Sequence, residues 1–447
     1  MAISLENTIE SLYKAKKYRT FRDLLSEFNE ADIADLFSGI SEESLPALFR
    51  LLPKDLAADT FALMEPERQE LLIHGFSDSE LKEVIDELYV DDAADIVDEM
   101  PANVVNRILQ NADPEKRKMI NEILKYPEDS AGSMMTTEYI SLRPEMTVNE
   151  AIKRIRRKIT ATETIYTCYV TDNNRQLMGY ISVKALLLSD EDEKINDIMD
   201  TTPVYVNTMD DKEDVAKKMN RYDFVTMPVV DDEMRLVGIV TFDDAIDVMQ
   251  EEATEDIEIM AAMAPAEESY FRTSDIKHAR NRIVWLLVLM LSAALTGAIL
   301  TSYENAFKSV PILVSFIPML MGTGGNCGAQ SSTMIIRGMS IDEIKLKDFF
   351  KVLWMEFRIS LLLSAALAVV NGLRILIFYR NPLLAVVISL SIIGTVIMAE
   401  VIGCTLPMLA KKCRLDPAVM ASPIITTIVD AGCIMIYFSI ASKFFNL

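Results

Sequence analysis

The sequence predicts a multidomain membrane protein, with a helical superhelix first, an α/β part next and an all-α membrane domain last. Three observations lead to this fold class. Short amphipathic helices fill the first 130 residues, a unit of about sixty residues then occurs twice, and five long apolar segments follow. About 20 apolar residues are enough for a helix to cross a bilayer.

Residues 1–130 are predicted to form a superhelix of short helices. Asp32–Ile40, Asp55–Leu63 and Asp91–Glu99 look like variants of one unit, each with apolar residues at helical spacing. Pro53, Pro66 and Pro101 lie near the ends of these helices, where proline is tolerated. Stacked helical units of this kind form a superhelix.

Residues 131–195 and 196–250 are predicted to be two copies of one α/β unit. Met135–Ile152 recurs as Met199–Ala216, and Tyr169–Ser182 recurs as Val229–Thr241. This repeat resembles a tandem pair of CBS domains, which usually pack as one pseudo-symmetric disc and often bind adenine nucleotides. The resemblance implies the same α/β disc here.

The second copy is the one expected to bind a nucleotide. The CBS nucleotide pattern is Gly, two apolar residues, Ser or Thr, two further residues and Asp. Gly238–Asp244 keeps this pattern, whereas Gly179–Ala185 lacks the acid. A ribose diol needs a bidentate acceptor such as Asp244. A CBS pair with a purely structural role is the alternative.

An acidic helix is predicted from about 243 to 270 and connects the soluble part to the membrane part. Glu252, Glu255 and Asp256 are three and four residues apart, so they share one face of this helix. Like charges at this spacing repel one another and destabilise an isolated helix. We therefore expect positive charge to offset them.

The first 274 residues carry a large excess of negative charge. Of 67 acidic and 44 basic residues in the chain, nine acidic and fifteen basic ones lie from Asp275 onward, which leaves 58 acidic and 29 basic in front. This sign argues against nucleic acid as a partner and favours divalent cations. With two histidines and no CxxC spacing, any metal would be bound by oxygen, which favours magnesium, calcium or manganese.

Five apolar segments within residues 271–447 are predicted to cross a lipid bilayer, at about 283–303, 311–336, 349–378, 382–409 and 417–441. Eleven Lys and Arg flank these spans on the side of the acidic front part, and four lie on the other side. By the positive-inside rule, the N-terminus is cytosolic and the C-terminus is outside. The expected location is the plasma (inner) membrane.

The second span contains the polar, glycine-rich stretch Phe316–Gln330. Irregular backbone at membrane depth persists only where it is buried in protein or lines a wet cavity. We therefore expect an interrupted helix that lines a pore, with close helix packing as the alternative. Gly325 and Asn326 would offer neutral oxygens to a cation that keeps much of its water, as magnesium does.

Asp430 lies midway along the fifth span and is the strongest candidate for a pore residue. Ionisable groups inside the membrane are costly and usually functional. Asp416 is fourteen residues earlier, about 21 Å away on nearly the same face if the helix is continuous. One acid midway and one at the cytosolic mouth predict a cation path, to which Thr426 would add oxygens.

Together these features resemble the MgtE family of magnesium channels across essentially the whole chain. The order of parts agrees with that family, and so do the local motifs Gly322–Gln330, Asp416–Pro417 and Asp430. Two positions depart from the family pattern. Some members carry a polar amide where this chain has Ala329, and some are expected to carry Asn in place of Ser422. Either change could alter the ion preference.

The resemblance implies a homodimer in the bilayer, with one pore on the two-fold axis and the Asp430 pair holding a hydrated ion. It also implies import of Mg²⁺ down its electrochemical gradient and closure when cytosolic Mg²⁺ binds between acidic surfaces. The positions that match the family's sensor residues are Asp91, Asp95, Asn220, Asp223, Asp244, Asp247, Glu252, Glu255, Asp256 and Asp416.

ATP is the cofactor that the CBS resemblance adds to Mg²⁺. The positions expected around it are Phe224, Met227, Pro228, Thr241 and Asp244, and bound ATP would rigidify the pair and favour closure at lower magnesium.

Two other functions stay open from the sequence, a broader divalent-cation transporter (cobalt, manganese or calcium) and an adenylate-regulated transporter of another solute. The identifiable pore charges are acidic, which disfavours an anion transporter. An enzyme is not expected, because the sequence offers no nucleophile–base constellation.

Overall fold

A computed structural model describes residues 9, 12–13, 15–159, 162–265, 270, 273–420 and 422–445 of the chain. The chain forms two compact units, residues 1–250 and 251–447. The first unit holds the helical part and the α/β repeat. The second holds five helices that are long and apolar enough to cross a membrane. This arrangement confirms the predicted fold class.

The N-terminal part consists of short helices stacked around one apolar core. The three segments predicted from the sequence all form helices. Phe37, Phe49, Phe61 and Phe76 come from successive turns of the superhelix and meet in its core. The helices are α1 (Tyr18–Leu25), α2 (Glu30–Ser38), α3 (Leu45–Phe49), α4 (Lys54–Ala62), α5 (Pro66–Gly75), α6 (Asp78–Glu87), α7 (Val90–Glu99), α8 (Ala102–Asn111) and α9 (Pro114–Ile123).

Local sequence signals set the starts of these helices. Ser77 caps α6 by accepting from the Glu80 amide, while the Glu80 carboxylate accepts from the Ser77 amide, so two free N–H groups are satisfied. Asn29 and Asp113 cap α2 and α9 with their side-chain oxygens. Because each helix is short, the buried apolar face supplies most of its stability.

The α/β repeat forms two three-stranded sheets with the same order, β1-β2-β3 and β4-β5-β6, each with one parallel and one antiparallel pairing. Tyr169 of the first copy donates to or accepts from Thr226 of the second at 2.9 Å inside the shared core. The elements are β1 (Ser141–Leu142), α10 (Val148–Lys158), β2 (Thr167–Thr171), β3 (Leu177–Ser182), α11 (Val183–Leu188), α12 (Ile195–Ile198), β4 (Val206–Asn207), α13 (Lys212–Tyr222), β5 (Thr226–Val230) and β6 (Leu236–Thr241).

The connecting helix α14 (Phe242–Met260) is shorter than the sequence predicted. It ends at Met260 rather than near 270, and Ala262 adopts a left-handed backbone with φ of 56°. A left-handed residue just after the last turn ends a helix because its backbone leaves the helical hydrogen-bond pattern.

The five membrane helices agree with the five predicted spans. They are α15 (Asp275–Ser302), α17 (Ile317–Ser340), α18 (Phe349–Tyr379), α19 (Pro382–Lys412) and α20 (Ser422–Phe445), and the short α16 (Glu304–Ser309) joins the first two. Short 3-10 segments precede α17, α18 and α20. In this chain α17, α19 and α20 share the apolar core, whereas α15 buries none of its residues fully.

The expected interruption of the second span is wrong. α17 is a continuous α-helix through Gly322–Gln330, and no described glycine has a positive φ. The glycines are needed for a different reason. A Cβ on Gly324 would lie 2.6 Å from a methyl carbon of Thr395, and one on Gly328 would lie 2.7 Å from a methyl carbon of Ile425. Close packing against neighbouring helices, the alternative reading, accounts for them.

The sequence suggested that Asp416 and Asp430 lie on one continuous helix, but in the structure they do not. Asp416 precedes a 3-10 turn, Pro417–Met420, and the α-helix starts only at Ser422. The Asp416 carboxylate accepts a hydrogen bond from the Ala418 amide at 2.8 Å, so it caps that turn. The path length of about 21 Å inferred from an unbroken helix therefore does not apply.

Candidate ion pathway and cation-binding cluster

The polar face of α17 meets the fifth span at two of the predicted pore positions. Gly325 lies against Thr426, since a Cβ added to Gly325 would be 3.1 Å from the Thr426 methyl carbon. The Thr426 hydroxyl donates to the Pro423 carbonyl at 3.0 Å and so satisfies the backbone of its own helix. Asn326, next to Gly325, is exposed in the single chain, and Asp430 is partly exposed one turn beyond Thr426.

A polar contact inside the membrane domain joins two further helices to α17. Ser331 donates a 2.9 Å hydrogen bond to the Glu356 carboxylate of α18, and Glu400 of α19 is fully buried beside them. These contacts join α17, α18 and α19 inside the membrane domain. Ala329 is half-buried on the same helix, and the side chain of Ser422 lies outside the described residues.

The first unit, residues 1–250, contains a cluster of three carboxylates, Asp91, Glu163 and Asp244. One carboxylate oxygen from each lies within 4.8 Å of the other two. Asp91 is in the first turn of α7, Asp244 is in the first turn of α14, and Glu163 is in the loop between α10 and β2. The structure therefore brings together two predicted sensor residues and adds a third acid that the sequence did not suggest.

Burial and mutual repulsion disfavour the ionised form of these acids. Desolvation raises the pKa of Asp91 well above its usual value, and the neighbouring charge on Glu163 raises it further. Desolvation also raises the pKa of Glu163 and of Asp244. None of the three forms a salt bridge with a residue that the structure describes. A bound cation would remove the cost of ionising such a group.

Neighbouring residues fix the positions of these acids. The Thr241 hydroxyl donates to Asp244 at 2.5 Å. Glu138 accepts a 2.9 Å hydrogen bond from the Val90 amide with its carboxylate and a 3.1 Å bond from the Glu163 amide with its carbonyl oxygen. Glu138 thus ties the start of α7 to the loop of Glu163.

The remaining predicted sensor positions are spread over the surface. Asp95, Asn220, Asp223, Asp247, Glu255 and Asp416 are exposed, and Glu252 and Asp256 are partly buried. Asp223 ends α13 in a left-handed conformation with φ of 54°. Within the described part of the chain, these positions do not join a set of three carboxylates as close as that of Asp91.

The predicted nucleotide residues lie at the end of the second α/β copy. Phe224 is partly buried and stacks on Tyr222, with ring centroids 5.4 Å apart. Met227 is fully buried in the core on β5, and Pro228 lies next to it. Asp244 also belongs to the carboxylate cluster, so the same side chain was predicted both as a nucleotide contact and as a metal ligand.

The far end of the connecting helix packs on the membrane domain. Ile259 and Met260 of α14 contact a small cluster made by Ile336 of α17 and Ala418 of the turn after Asp416. The helix that has Asp244 in its first turn therefore ends against the span that carries Gly325 and Asn326.

Comparison with known families and proteins agrees with this architecture. A family model described as "Divalent cation transporter" matches residues 317–440, the MgtE intracellular N domain matches 28–129, and the CBS domain matches 131–191 and 195–251. A protein named magnesium transporter MgtE from Thermus thermophilus is 35% identical over 445 residues, covering 99% of this chain and 98% of that protein. This chain belongs to the MgtE family.

Other relatives support the assignment to MgtE. The Bacillus subtilis protein of the same name is 32% identical and covers 97% of this chain and 96% of its own length. The structure titled as the cytosolic domain of the Mg²⁺ channel MgtE in complex with ATP is 37% identical, covers 56% of this chain and all of that chain, and gives a TM-score of 0.51. The soluble part of a magnesium transporter, 30% identical, covers 57% of this chain and all of its own, with a TM-score of 0.54. The family predicted from the sequence is confirmed.

Glu163 was not predicted from the sequence, because nothing in its neighbourhood marks it as a metal ligand. It sits in a loop with no motif, and its two partners are 72 residues before it and 81 residues after it in the chain. Its position one residue after Thr162, which is buried, was the only local signal.

Proposed function

We propose that this MgtE protein is a magnesium channel that is closed by cytosolic Mg²⁺. Magnesium is the ion that both full-length relatives are named for. The observation that carries the gating part is the position of α14, which has Asp244 of the carboxylate cluster in its first turn and ends against α17. An ion bound at the start of this helix would restrict its motion, and the pore helix is in contact with its end.

Asp430 supplies the negative charge of the proposed pore, with Asn326, Gly325 and Thr426 as neutral oxygen donors. A hydrated magnesium ion suits this set, because Mg²⁺ dehydrates reluctantly and keeps several waters. A homodimer with the pore on its two-fold axis would double the set. Partial exposure of Asp430 and exposure of Asn326 in the single chain support a role for both at such an axis.

Closure would follow from electrostatics. At low magnesium the acidic soluble units repel each other and their own carboxylates repel one another. At high magnesium, ions bound by Asp91 and Asp244 would bridge these surfaces, together with ions at the other predicted sensor positions, Asp95, Asn220, Asp223, Asp247, Glu252, Glu255, Asp256 and Asp416. With the acidic part in the cytosol, the membrane potential would drive import and bound ions would stop it.

ATP belongs to the proposal as a modulator held by the second CBS copy, around Phe224, Pro228 and the backbone of Met227, with Thr241 and Asp244 at the ribose. The ATP-bound MgtE cytosolic domain, which is 37% identical, supports this assignment. Because Asp244 also belongs to the carboxylate cluster, nucleotide and ion would compete or cooperate through one side chain.

Transport is tested in a host that cannot grow without added magnesium. The parent chain should restore growth, and Asp430→Asn should not, because the pore then lacks its charge. Glu304→Gln, at an exposed acid in α16, serves as the matched control and should restore growth. Rescue by Asp430→Asn at the parent level would overturn the pore assignment. Reversal potentials with magnesium against calcium, cobalt and manganese decide whether the broader divalent alternative holds.

Gating is tested by proteolysis of the purified full-length protein at rising magnesium. The cytosolic part should become protected, and Asp91→Asn combined with Asp95→Asn should shift protection to higher magnesium. Digestion that is independent of magnesium would count against closure by bound ions while leaving the transport assignment intact.

A further inference from the structure

The first CBS copy contributes an acid to the cluster around Asp91. Glu163 belongs to that copy, Asp91 to the N-terminal superhelix and Asp244 to the start of α14. Carboxylate oxygens from all three lie within 4.8 Å of one another, so a small inward movement of the side chains would bring them to the distance of about 2.0–2.6 Å at which a hard cation binds oxygen. Two of these acids match the family's sensor positions, and Glu163 stands outside them.

Two oxygens in the cluster lack hydrogen-bond partners. Asp91 is only 5% exposed, and its Oδ1 is buried with no partner among the described residues. The buried Oε2 of Glu163 also has none. A buried carboxylate oxygen without a donor is costly, and native structures rarely leave one without an explanation such as an ion.

The loop of Glu163 is held in place independently of any ion. The Glu163 amide donates to the Glu138 carbonyl oxygen at 3.1 Å, and the Glu138 carboxylate accepts from the Val90 amide at 2.9 Å and lies 3.4 Å from Lys116 Nζ. Glu138 is therefore occupied by backbone and by lysine, whereas Glu163 keeps an oxygen free toward Asp91. Of these two acids, Glu163 is therefore the one that is available to bind an ion.

We infer that Glu163 is a third ligand of a hard divalent cation held by Asp91 and Asp244, so that the ion ties the first CBS copy, as well as the second, to the N-terminal superhelix. Oxygen-only ligands select magnesium, manganese or calcium over softer metals. The inference rests on the proposed sensing role of Asp91 and Asp244 and extends it. The first copy, which lacks the nucleotide acid at Ala185, takes part in regulation through this ion.

The experiment is hydrogen exchange on the purified full-length protein, titrated with MgCl₂ alone. The readout is the magnesium concentration at which amides of α7 reach half of their added protection. Glu163→Gln removes one ligand charge and should raise this midpoint about 10-fold or more, the size of effect expected for groups around a bound metal. Glu145→Gln, at an exposed acid in the same CBS copy, is the control and should leave the midpoint unchanged.

A double variant separates a ligand from a background charge. If Glu163 and Asp91 hold one ion, the double variant Glu163→Gln with Asp91→Asn should raise the magnesium midpoint by much less than the product of the two single fold-changes. In the metal-free protein, Glu163→Gln should leave α7 as protected as in the parent or more so, because it relieves repulsion.

Three results decide the matter. The role of Glu163 is overturned if the magnesium midpoint of Glu163→Gln lies within about two-fold of the parent's. It is also overturned if the effects of the two changes multiply fully in the double variant. In both cases Asp91 keeps its role as a ligand. If neither Glu163→Gln nor Asp91→Asn changes the magnesium midpoint, the cluster is not a cation site. The proposed transport function is tested independently of this result, by growth rescue with Asp430→Asn.

Discussion

Gly403 of α19 packs directly on Gly328 of α17, and a Cβ on Gly403 would lie 2.5 Å from the Gly328 carbonyl oxygen. That distance is shorter than any ordinary van der Waals contact, and the obstacle is backbone that cannot rotate away. Without a hydrophobic drive between helices in lipid, such close approach is what holds membrane helices together. The glycine of the fourth span thus fixes the position of the second span, which carries the proposed pore residues.

Gly403→Ala should therefore destabilise the membrane domain, by about 1–3 kcal/mol if the helices separate to admit the methyl group. The matched control is Gly297→Ala in α15, where an added Cβ meets nothing within 4 Å. The measurement is the temperature at which half of the detergent-solubilised protein stops eluting as a single peak on gel filtration. Equal values for the two variants would show that the α17–α19 approach is looser than described.

Contacts at the end of α14 should transmit closure to the pore helix. Ile259→Ala with Met260→Ala removes the packing on Ile336 and Ala418, so magnesium should still bind but close the pore less completely. We expect transport to persist at magnesium concentrations that stop the parent, measured as uptake by proteoliposomes at rising internal magnesium.

Ile257→Ala is the control for this change, since Ile257 lies on the same helix and is 62% exposed. If the double variant closes at the parent's magnesium concentration, α14 does not act on the pore through these side chains.

ATP binding should depend on Phe224 if the nucleotide lies in the second CBS copy. Loss of the ring removes a stacking surface for the base, worth about 1–3 kcal/mol, so Phe224→Ala should weaken binding by at least about five-fold. Val225→Ala, at an exposed neighbour, should leave it unchanged. Equilibrium dialysis of the full-length protein with labelled ATP measures both, and equal affinity in the two variants would place the nucleotide elsewhere.

The Arg50–Glu80 pair should make the stability of α6 depend on pH. The hydrogen bond from Arg50, at 2.6 Å, lowers the pKa of Glu80 to about 2 from an ordinary value of 4.5. Because the folded pKa is the lower one, this contribution is present above pH 4.5 and is lost as the pH falls from there toward 2. The pair is more than a third exposed, so its contribution is limited to about 1 kcal/mol.

Hydrogen exchange of the α6 amides in the parent and in Glu80→Gln measures this difference. The parent should be the more protected chain at pH 7, and the gap should shrink by pH 3. Glu87→Gln, at an exposed acid that ends the same helix, should give no such gap at either pH. A gap for Glu80→Gln that stays constant between pH 7 and pH 3 would rule out the ion pair as its cause.

The sequence determined those features of this MgtE protein that depend on local pattern. The length of the apolar segments predicts the five spans, because such residues must leave water. A repeat of about sixty residues predicts the two α/β copies. Apolar residues at helical spacing, with prolines near the helix ends, predict the superhelix. The order of the parts, with the motifs Gly322–Gln330, Asp416–Pro417 and Asp430, was sufficient for the family. ATP binding and the gate stay predictions.

Only the tertiary structure decided where the glycines and acids act. Gly324 and Gly328 serve helix packing in an unbroken α17, since the atoms that exclude a side chain there belong to α19 and α20. Gly403 of α19 does the same from the other side, since the atoms that exclude its side chain belong to α17. Glu163 lies close to Asp91 because Glu138 accepts hydrogen bonds from the amides of Val90 and Glu163, and Asp244, held by Thr241, completes the set. No local signal encodes such a meeting. It arises only when folding brings three distant carboxylates together and removes water from them.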